Sequence, residues 1–318
     1  MLRSLKNVGK AAVRAAVRTR LSRFAVSLET AEWYAERFKR WPAVFDQLNF
    51  RLCRRLPAGM EMTLGIVDVI ERTLFTTGEW DPIVEQTLRS CVKPGDVFLD
   101  VGANIGYFSL LASLLVGETG RVVSFEPSAR ALSRLTTHLC LNRCSNVTVC
   151  SQAMGDVVGT ERLNWAPSSN IGGSTIARGT PARGYSEQIA VRRLDDVCDE
   201  MQLIPTFIKL DVEGFELFAL RGAEKTLRQH HPTVVCELTN RFLEDHGQSG
   251  ADLLRFMRGL GYDAWLIRLN ENGQLIAEHC ENDDTPRDQA EVLFCVDAPD
   301  FAGTPRRDSD DTTIAAGV

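Results

Sequence analysis

The stretch that most constrains the fold of this chain is residues 97–106, which read Val-Phe-Leu-Asp-Val-Gly-Ala-Asn-Ile-Gly. An apolar run ends there in a carboxylate and two glycines, and a second apolar run, residues 107–116, follows at once. This order predicts a buried strand, a tight glycine turn and a buried helix. Glycines let the backbone turn sharply and approach a ligand closely, and the first turn of the helix offers free N–H groups to that ligand.

The next acidic position indicates the kind of ligand. Residues 121–127 form a β-rich run that contains Glu126, and Glu126 lies 20 residues beyond Gly106. A carboxylate at this point of a βαβ unit accepts hydrogen bonds from the two hydroxyls of a ribose. Strand, glycine turn, helix and terminal acid together therefore predict a nucleoside-binding site.

The spacing of the glycines distinguishes two classes of nucleoside. A dinucleotide fold has the turn G-x-G-x-x-G, whereas Asn104 stands here where a middle glycine would be. Asp100 precedes the turn, where its carboxylate would repel a pyrophosphate and attract an ammonium group. These features favour S-adenosyl-L-methionine, which carries ribose hydroxyls, an ammonium and a sulfonium. An NAD-dependent oxidoreductase is the alternative, because Glu126 fits both cofactors.

Two later strand-like runs also end in acids. Residues 206–214 read Thr-Phe-Ile-Lys-Leu-Asp-Val-Glu-Gly, and residues 232–238 carry Glu237 near their end. Ligands of open α/β sheets bind at the carboxyl ends of the strands, so Asp211 is expected at the same edge as Asp100. The two carboxylates would bracket a cationic ligand there. The alternative is that the acids only cap the helices that follow.

Five motifs occur in order along the chain, namely residues 97–106, Phe125-Glu126-Pro127, Met154-Gly155-Asp156, Leu194-Asp195-Asp196 and residues 208–214. Together they resemble the FkbM-type methyltransferase family over roughly residues 78–245. The resemblance implies a class I, S-adenosylmethionine-dependent enzyme. Its α/β, Rossmann-like fold would have a seven-stranded, mostly parallel sheet with helices on both faces and an antiparallel last strand.

The resemblance also implies where site residues lie. The methionine part of the cofactor would be surrounded by Asp100, Gly102, Asn104 and Gly106, with Glu126 at the ribose, Ala153 and Asp156 near the adenine, and Asp211 and Glu213 at the reacting end. Members of the family are commonly linked to O-methylation of polyketides, sugars and other small molecules. We therefore expect a small-molecule or glycan acceptor, with Asp211, Glu213 or Glu237 as the catalytic base.

Composition limits the other function classes. The chain has 318 residues and a net charge of −6, which disfavours general nucleic-acid binding. The N/D-P-P-Y/F tetrad of amino-methylating nucleic-acid enzymes is absent. No C-x-x-C pair occurs among the nine cysteines, which favours reduced packing thiols over a metal site. A cytoplasmic enzyme without a metal is expected, and a non-catalytic nucleotide-binding adaptor is a further alternative.

The chain is predicted to have three parts. We predict that residues 1–60 form a helical extension. Its first part, residues 1–28, contains seven Lys and Arg residues and no Asp or Glu. This basic amphipathic stretch predicts either contact with an anionic membrane surface or a solvated helix. Residues 61–298 would form the methyltransferase domain, with residues 157–190 as an inserted loop or lid. Residues 299–318 are predicted to be disordered.

Overall fold

The structure is a computed structural model that describes residues 51–176, 178, 184–281, 289–299 and 301. Its strands are β1 (Leu52–Arg55), β2 (Glu61–Leu64), β3 (Val97–Val101), β4 (Arg121–Phe125), β5 (Val147–Cys150), β6 (Ala153–Met154), β7 (Gly159–Asn164), β8 (Thr175–Ile176), β9 (Ser186–Arg192), β10 (Phe207–Leu210), β11 (Thr233–Leu238), β12 (Asp263–Leu269), β13 (Leu275–His279) and β14 (Ala290–Cys295). Its helices are α1 (Val69–Thr76), α2 (Pro82–Cys91), α3 (Tyr107–Val116), α4 (Ala129–Leu141), α5 (Leu194–Met201), α6 (Glu216–Arg221), α7 (Glu224–His230), α8 (Asn240–Glu244) and α9 (Gly250–Gly259).

The main sheet has eight strands in the order β13-β12-β14-β11-β10-β3-β4-β5. The five strands from β11 to β5 in this order are parallel, whereas β14 runs antiparallel to both of its neighbours. The predicted mostly parallel α/β sheet with an antiparallel late strand is therefore confirmed. The predicted number of seven strands is wrong by one, because the chain turns back after β12 and adds β13 at the edge.

Helices cover both faces of this sheet. Neighbouring residues of a strand point to opposite faces, and β3 shows the consequence. Phe98 is buried in one apolar cluster with Leu88 of α2, whereas Leu99 is buried in a second cluster with Leu253 of α9. Strands buried on both faces read as continuous apolar runs, which explains why β3 and β10 stand out in the sequence.

The hairpin β1–β2 crosses the domain boundary that was predicted after residue 60. β1 pairs antiparallel with β2, and the buried residues Leu52 and Met60 belong to the core cluster that contains Phe98. Residues 51–60 are therefore part of the domain, and β1 corrects the helix predicted there. The turn at residues 57–59 lets the chain reverse, with Gly59 at φ +88°. Residues 1–50, including the basic stretch 1–28, lie outside the described residues.

The described residues of the insertion predicted at 157–190 contribute strands to a small sheet rather than forming a plain loop. β7 pairs antiparallel with β8 and β9, and β9 pairs parallel with β6. Leu163, Ile176 and Val191 of this sheet form a small core with Phe215, which precedes α6. The insertion is therefore packed on the main domain by its own apolar side chains.

The carboxyl-terminal segment enters the core before the described part ends. Phe301 is buried in the cluster that contains Phe98, so the predicted disordered tail begins too early at residue 299. Residues 300 and 302–318 lie outside the described part of the chain. Across the described ranges, no helix has the length and apolar character that a membrane crossing requires.

Candidate functional site

A cavity of about 480 Å³ lies at the carboxyl ends of β3, β4, β10 and β11. The predicted site residues that line it are Gly102, Asn104, Glu126, Ala153, Asp211, Glu213 and Glu237. Most of these residues follow β3, β4 or β10, whereas Glu237 lies in β11 and Ala153 in β6 of the smaller sheet. The other three predicted residues, Asp100, Gly106 and Asp156, are not part of its wall.

The turn after β3 needs its first glycine for a close approach to another part of the chain. Gly102 has φ +82°, and a Cβ built on it would lie 1.8 Å from the backbone oxygen of Asp211. The chain after β3 therefore passes directly against the chain after β10. Gly106 has φ +90° and begins α3, and a Cβ there would lie 2.4 Å from Cδ1 of Leu135. The absence of a side chain at Gly106 thus allows α3 to pack against α4. Gly106 itself does not line the cavity.

Glu126 is fixed in one orientation at the wall of the cavity. Its Oε2 accepts a hydrogen bond of 2.8 Å from the backbone N–H of Asn104, and its Oε1 accepts one of 2.8 Å from that of Ser128. The residue is 7% exposed, and burial raises the pKa of its carboxyl to about 7 even though both hydrogen bonds favour the charged form. Two oxygens held in this way present an acceptor pair to a diol.

Asn104 provides a polar atom without a partner beside Glu126. Its backbone lies in the left-handed region at φ +50°, which Asn tolerates better than most residues. Its Oδ1 is buried and has no hydrogen-bond partner among the described residues. Buried acceptors are normally satisfied, so this oxygen fits a bound molecule that brings its own donor.

The cation between Asp100 and Asp211 is Lys209. Its Nζ lies 3.5 Å from Oδ1 of Asp100 and 3.4 Å from Oδ2 of Asp211, and it donates a 2.8 Å hydrogen bond to the carbonyl of Gly102. Burial alone would lower the pKa of Lys209, but the two carboxylates outweigh burial and raise it. The expectation that both acids bracket a cationic ligand is therefore wrong, because the chain supplies its own cation.

Asp100 is buried behind this lysine. Its Oδ2 accepts a 2.6 Å hydrogen bond from Oγ of Ser109, and Ser124 donates in turn to Ser109 at 2.8 Å. Asp100 thus holds Lys209 from behind the wall, whereas the side chain of Asp211 is 33% exposed and faces the cavity. Lys209 had no role in the sequence analysis. The sequence shows Lys209 as a single charged residue inside the apolar strand Phe-Ile-Lys-Leu. A charged side chain that is buried requires a partner.

Glu213 and Glu237 join Asp211 at one end of the cavity. Glu213 has φ +53°, a strained conformation for a residue with a Cβ. Burial and the neighbouring Asp211 raise the pKa of Glu213 to about 9 and that of Glu237 to about 8. Glu237 also accepts a 3.0 Å hydrogen bond from Oγ1 of Thr239. The three predicted base candidates therefore lie together, with two of them mainly protonated at neutral pH.

Two further acids lie near Glu237 and were not among the predicted site residues. Glu291 of β14 pairs in register with Glu237 of β11 and is 7% exposed, and its pKa is raised well above the usual range by burial and by Asp81. Asp81 lines the cavity and accepts a 3.2 Å hydrogen bond from the backbone N–H of Val84 at the start of α2. Neither Asp81 nor Glu291 lies close in sequence to the strand ends at which the site residues were predicted.

Asp156 is engaged elsewhere. Its Oδ1 lies 2.9 Å from a guanidinium nitrogen of Arg178, which also lies 3.1 Å from Glu161 and over the ring of Phe218. Its carboxylate therefore ties β6 to the insertion. The neighbouring Ala153 lines the cavity, as does Gln152.

The insertion covers the cavity and is anchored on α1. Asp68, which is 2% exposed, accepts a 2.7 Å hydrogen bond from the backbone N–H of Ile171 and a 3.0 Å bond from that of Glu71. The backbone N–H of Val69 donates to the carbonyl of Ser169 at 2.8 Å. Asp68 thus caps α1 and also holds the insertion in place. Residues 170–174 of the insertion line the cavity, and we call this segment the cover.

The chain is similar in sequence to known methyltransferases. The curated relatives include the 31-O-demethyl-FK506 methyltransferase FkbM of Streptomyces tacrolimicus, which is 29% identical over 203 residues, or 54% of this chain and 74% of the relative. The hexuronic acid methyltransferase AglP of Haloferax volcanii is 24% identical over 231 residues, or 70% of this chain and 85% of the relative.

Among solved structures, a methyltransferase FkbM from Methylobacillus flagellatus KT superposes with a TM-score of 0.41 and 20% identity. The superposition covers 82% of this chain and 60% of that chain, so less than two thirds of the solved protein is matched. A family model described as the methyltransferase FkbM domain matches residues 100–264, which is more than half of the chain and spans β3 to β12. The chain therefore belongs to the FkbM family of methyltransferases.

Proposed function

We propose that the chain is an S-adenosyl-L-methionine-dependent methyltransferase that acts on a hydroxyl group of a small molecule or glycan. One observation carries the proposal, namely a single cavity lined by two sets of polar groups. Glu126 and the unpartnered Oδ1 of Asn104 line it after β4 and β3, and the carboxyl groups of Asp211, Glu213 and Glu237 line it at β10 and β11. One cavity therefore contains both a group suited to binding a diol and the candidate bases.

The residues present fit the cofactor. The carboxylate of Glu126 suits the two ribose hydroxyls, and Oδ1 of Asn104 is free to accept from a bound donor. The partly exposed carboxylate of Asp211 suits an ammonium group. When bound, S-adenosyl-L-methionine supplies an electrophilic methyl group on a sulfonium.

The chain's own residues would contribute position and basicity. Orientation of two reactants supplies about 7–11 kcal/mol, whereas a general base adds about 10²–10⁴-fold. The cavity walls therefore matter more than the base, but an aliphatic hydroxyl still needs one. A base works best when its pKa lies near the operating pH. Glu237 at about 8 and Glu213 at about 9 meet that condition, so either is suited to take the hydroxyl proton.

The names of two relatives support an acceptor of this kind. One relative is named as a 31-O-demethyl-FK506 methyltransferase and the other as a hexuronic acid methyltransferase. Both names describe small-molecule or sugar acceptors. The acidic net charge of the chain also agrees with an acceptor other than nucleic acid.

Calorimetry with S-adenosylhomocysteine and with NADH tests the cofactor. We expect binding of the first compound and none of the second; the reverse result would assign the chain to the oxidoreductases. Transfer of a labelled methyl group to an extract of small metabolites, lipids and glycans then tests the reaction. Asp211→Asn and Glu237→Gln are expected to lower that transfer, and full activity in both would remove these two residues from the proposed chemistry.

We also propose that residues 1–28 bring the enzyme to an anionic membrane surface. Support comes from the seven basic residues of this stretch and from its amphipathic spacing. Flotation with vesicles that contain phosphatidylserine tests this, using the full chain and a chain that lacks residues 1–28. Equal flotation of the two proteins would contradict the proposal.

A further inference from the structure

The insertion is fastened to the start of α4, close to Glu126. Oε1 of Glu187 in β9 accepts a 3.2 Å hydrogen bond from the backbone N–H of Ala129 and a 2.8 Å bond from Nε1 of Trp165. The guanidinium carbon of Arg130 lies 5.2 Å from the centre of the Trp165 ring, so the two side chains stack. Since α4 begins three positions after Glu126, the insertion is attached beside the residue proposed to bind the ribose.

The cover, residues 170–174, lies directly against Asn104. A Cβ built on Gly172 would lie 2.5 Å from Nδ2 of Asn104 and 2.8 Å from Cδ1 of Ile70. The backbone N–H of the same Asn104 donates to Glu126 at 2.8 Å. The cover therefore touches the residue that holds Glu126 in its orientation, and a side chain at position 172 would displace one or the other.

The cavity wall beside the cover is closed to solvent. Glu126 and Ser128 line the cavity and are 7% and 3% exposed, and Ile171 of the cover is 2% exposed. The side chain of Asp211, in contrast, is 33% exposed. A ligand bound at Glu126 would therefore lie beneath the cover, whereas the wall at Asp211 stays accessible to a second molecule.

The anchors of the cover lie outside the cavity. Asp68 accepts the 2.7 Å hydrogen bond from the backbone N–H of Ile171 but is not part of the cavity wall. The carbonyl of Ser169 accepts the second bond from the N–H of Val69, which begins α1. A change at Asp68 therefore alters the support of the cover and removes no group from the wall.

We propose that the cover belongs to the binding site of the cofactor and closes over its adenosine part, so that binding of the nucleoside and fastening of the cover favour each other. Asp68 is then a positioning residue, which acts on the cofactor through the cover. Such coupling is reciprocal, because a ligand that tightens the cover must bind more tightly when the cover is fastened. The inference rests on the proposed function and adds a role for the insertion.

Hydrogen exchange of the full chain tests whether the nucleoside tightens the cover. The two probes are S-adenosylhomocysteine and 5′-methylthioadenosine, which lacks the amino-acid part. At concentrations that saturate binding in calorimetry, each probe is expected to slow exchange across residues 169–173 by about tenfold, within the usual range of coupling between two sites. Residues 275–279 of β13, at the far edge of the main sheet, should exchange at the same rate with and without the probes.

Two variants with matched controls test the reverse direction of the coupling. Asp68→Ala is expected to weaken S-adenosylhomocysteine about fivefold or more, mainly through faster dissociation. Ser249→Ala removes the cap of α9 and should cost similar stability with unchanged affinity, a difference that a purely structural role of Asp68 would not produce.

The second variant changes the contact between the cover and Asn104. Gly172→Ala is expected to weaken binding about tenfold, since the new methyl group meets the Asn104 amide. Gly159→Ala, in β7 of the same insertion, places its methyl group in open space and should bind like the wild type. Thermal melts verify that each variant is folded.

Unchanged affinity in both Asp68→Ala and Gly172→Ala would overturn the proposal. So would bound S-adenosylhomocysteine that leaves exchange of the cover as it was. Protection by S-adenosylhomocysteine but not by 5′-methylthioadenosine, or failure of the latter to bind, would refute the assignment to adenosine. If S-adenosylhomocysteine does not bind the wild-type chain at all, the proposed function itself is wrong, which is distinct from normal binding beneath an unresponsive cover.

Discussion

The ammonium group of Lys209 lies 3.4 Å from the carboxylate of Asp211 and joins the ends of two neighbouring strands. Through its hydrogen bond to the carbonyl of Gly102, the same ammonium fixes the glycine turn. The orientation of Asp211 thus depends on a residue that is itself almost inaccessible. A ligand that meets Asp211 meets a carboxylate already paired on its inner side.

Replacement of Lys209 by Met is expected to destabilise the fold. It would leave Asp100 buried without a counter-charge, and loss of one partner of a buried ion pair costs about 3–5 kcal/mol. Urea denaturation measures the loss. The control Lys225→Met removes an exposed lysine paired with Asp199 and should change stability little. Adding Asp100→Asn to Lys209→Met should recover part of the loss; no recovery would mean that the charge of Asp100 is not the cause.

The glycine at position 102 should not tolerate even one methyl group. In Gly102→Ala the new Cβ meets the backbone oxygen of Asp211, which cannot move without shifting the chain after β10. Gly261→Ala is the matched control, because Gly261 has a similar φ of +88° and no atom within 4 Å of its built Cβ. The control should cost about 1 kcal/mol from backbone conformation alone, and Gly102→Ala should cost several times more in a thermal or urea melt. Equal losses would contradict the close approach.

Binding of the nucleoside is expected to depend on the ionisation of Glu126. Burial raises the pKa of this carboxyl to about 7, and the charged form is the better acceptor for ribose hydroxyls. Affinity for S-adenosylhomocysteine should therefore rise between pH 6 and pH 8. In Glu126→Gln the affinity should be at least tenfold lower and should lose this dependence. A wild-type affinity that is flat across this range would exclude ionisation of Glu126 as the controlling event.

Stability should fall as the pH rises from 5 to 9. The folded-state pKa values of Glu213 and Glu237, about 9 and about 8, lie above the usual value of 4.5 that the unfolded chain is expected to have. In this window the folded protein binds more protons than the unfolded chain, so each rise in pH favours unfolding. Urea denaturation at pH 5, 7 and 9 measures the slope. Glu213→Gln should reduce it, and Glu244→Gln should leave it as it is.

The cover over the cavity should loosen when Asp68 is replaced. Asp68→Ala removes the acceptor for the N–H of Ile171 and also the cap of α1, worth about 1 kcal/mol. Hydrogen exchange followed by mass spectrometry should then show faster exchange across residues 169–173. Asp96→Ala, which removes an acceptor in the turn before β3, should leave exchange there unchanged. Slow exchange in both variants would show that the cover is held by other contacts.

The part of the site that could be predicted from the sequence is the part whose residues lie close together along the chain. The turn of residues 102–106, the helix α3 and the acid at 126 belong to one βαβ unit, in which sequence distance determines spatial distance. The placing of Glu126 beside the backbone of Asn104 follows from that unit. Asp211 and Glu237 were placed at the same edge by the same rule, because parallel strands share their carboxyl ends.

Contacts between distant parts of the chain explain what was missed. Nothing in the local sequence indicates that Gly102, which lines the cavity, also lies against the backbone of Asp211, 109 positions later. Glu291 faces Glu237 only because β14 inserts antiparallel beside β11. The anchoring of Ile171 by Asp68 joins segments that no spacing rule connects.

The sequence by itself determined the kind of sheet, its glycine turn and the acidic edge, because these follow from the order of apolar runs, glycines and acids along the chain. Tertiary structure alone decided the charge of that edge. Asp100 is buried behind the wall, Lys209 lies between two carboxylates, and Asp81 and Glu291 lie near Glu237. The physical reason is that the energy of a buried charge depends on neighbours in space, and those neighbours are brought together only when the strands are paired.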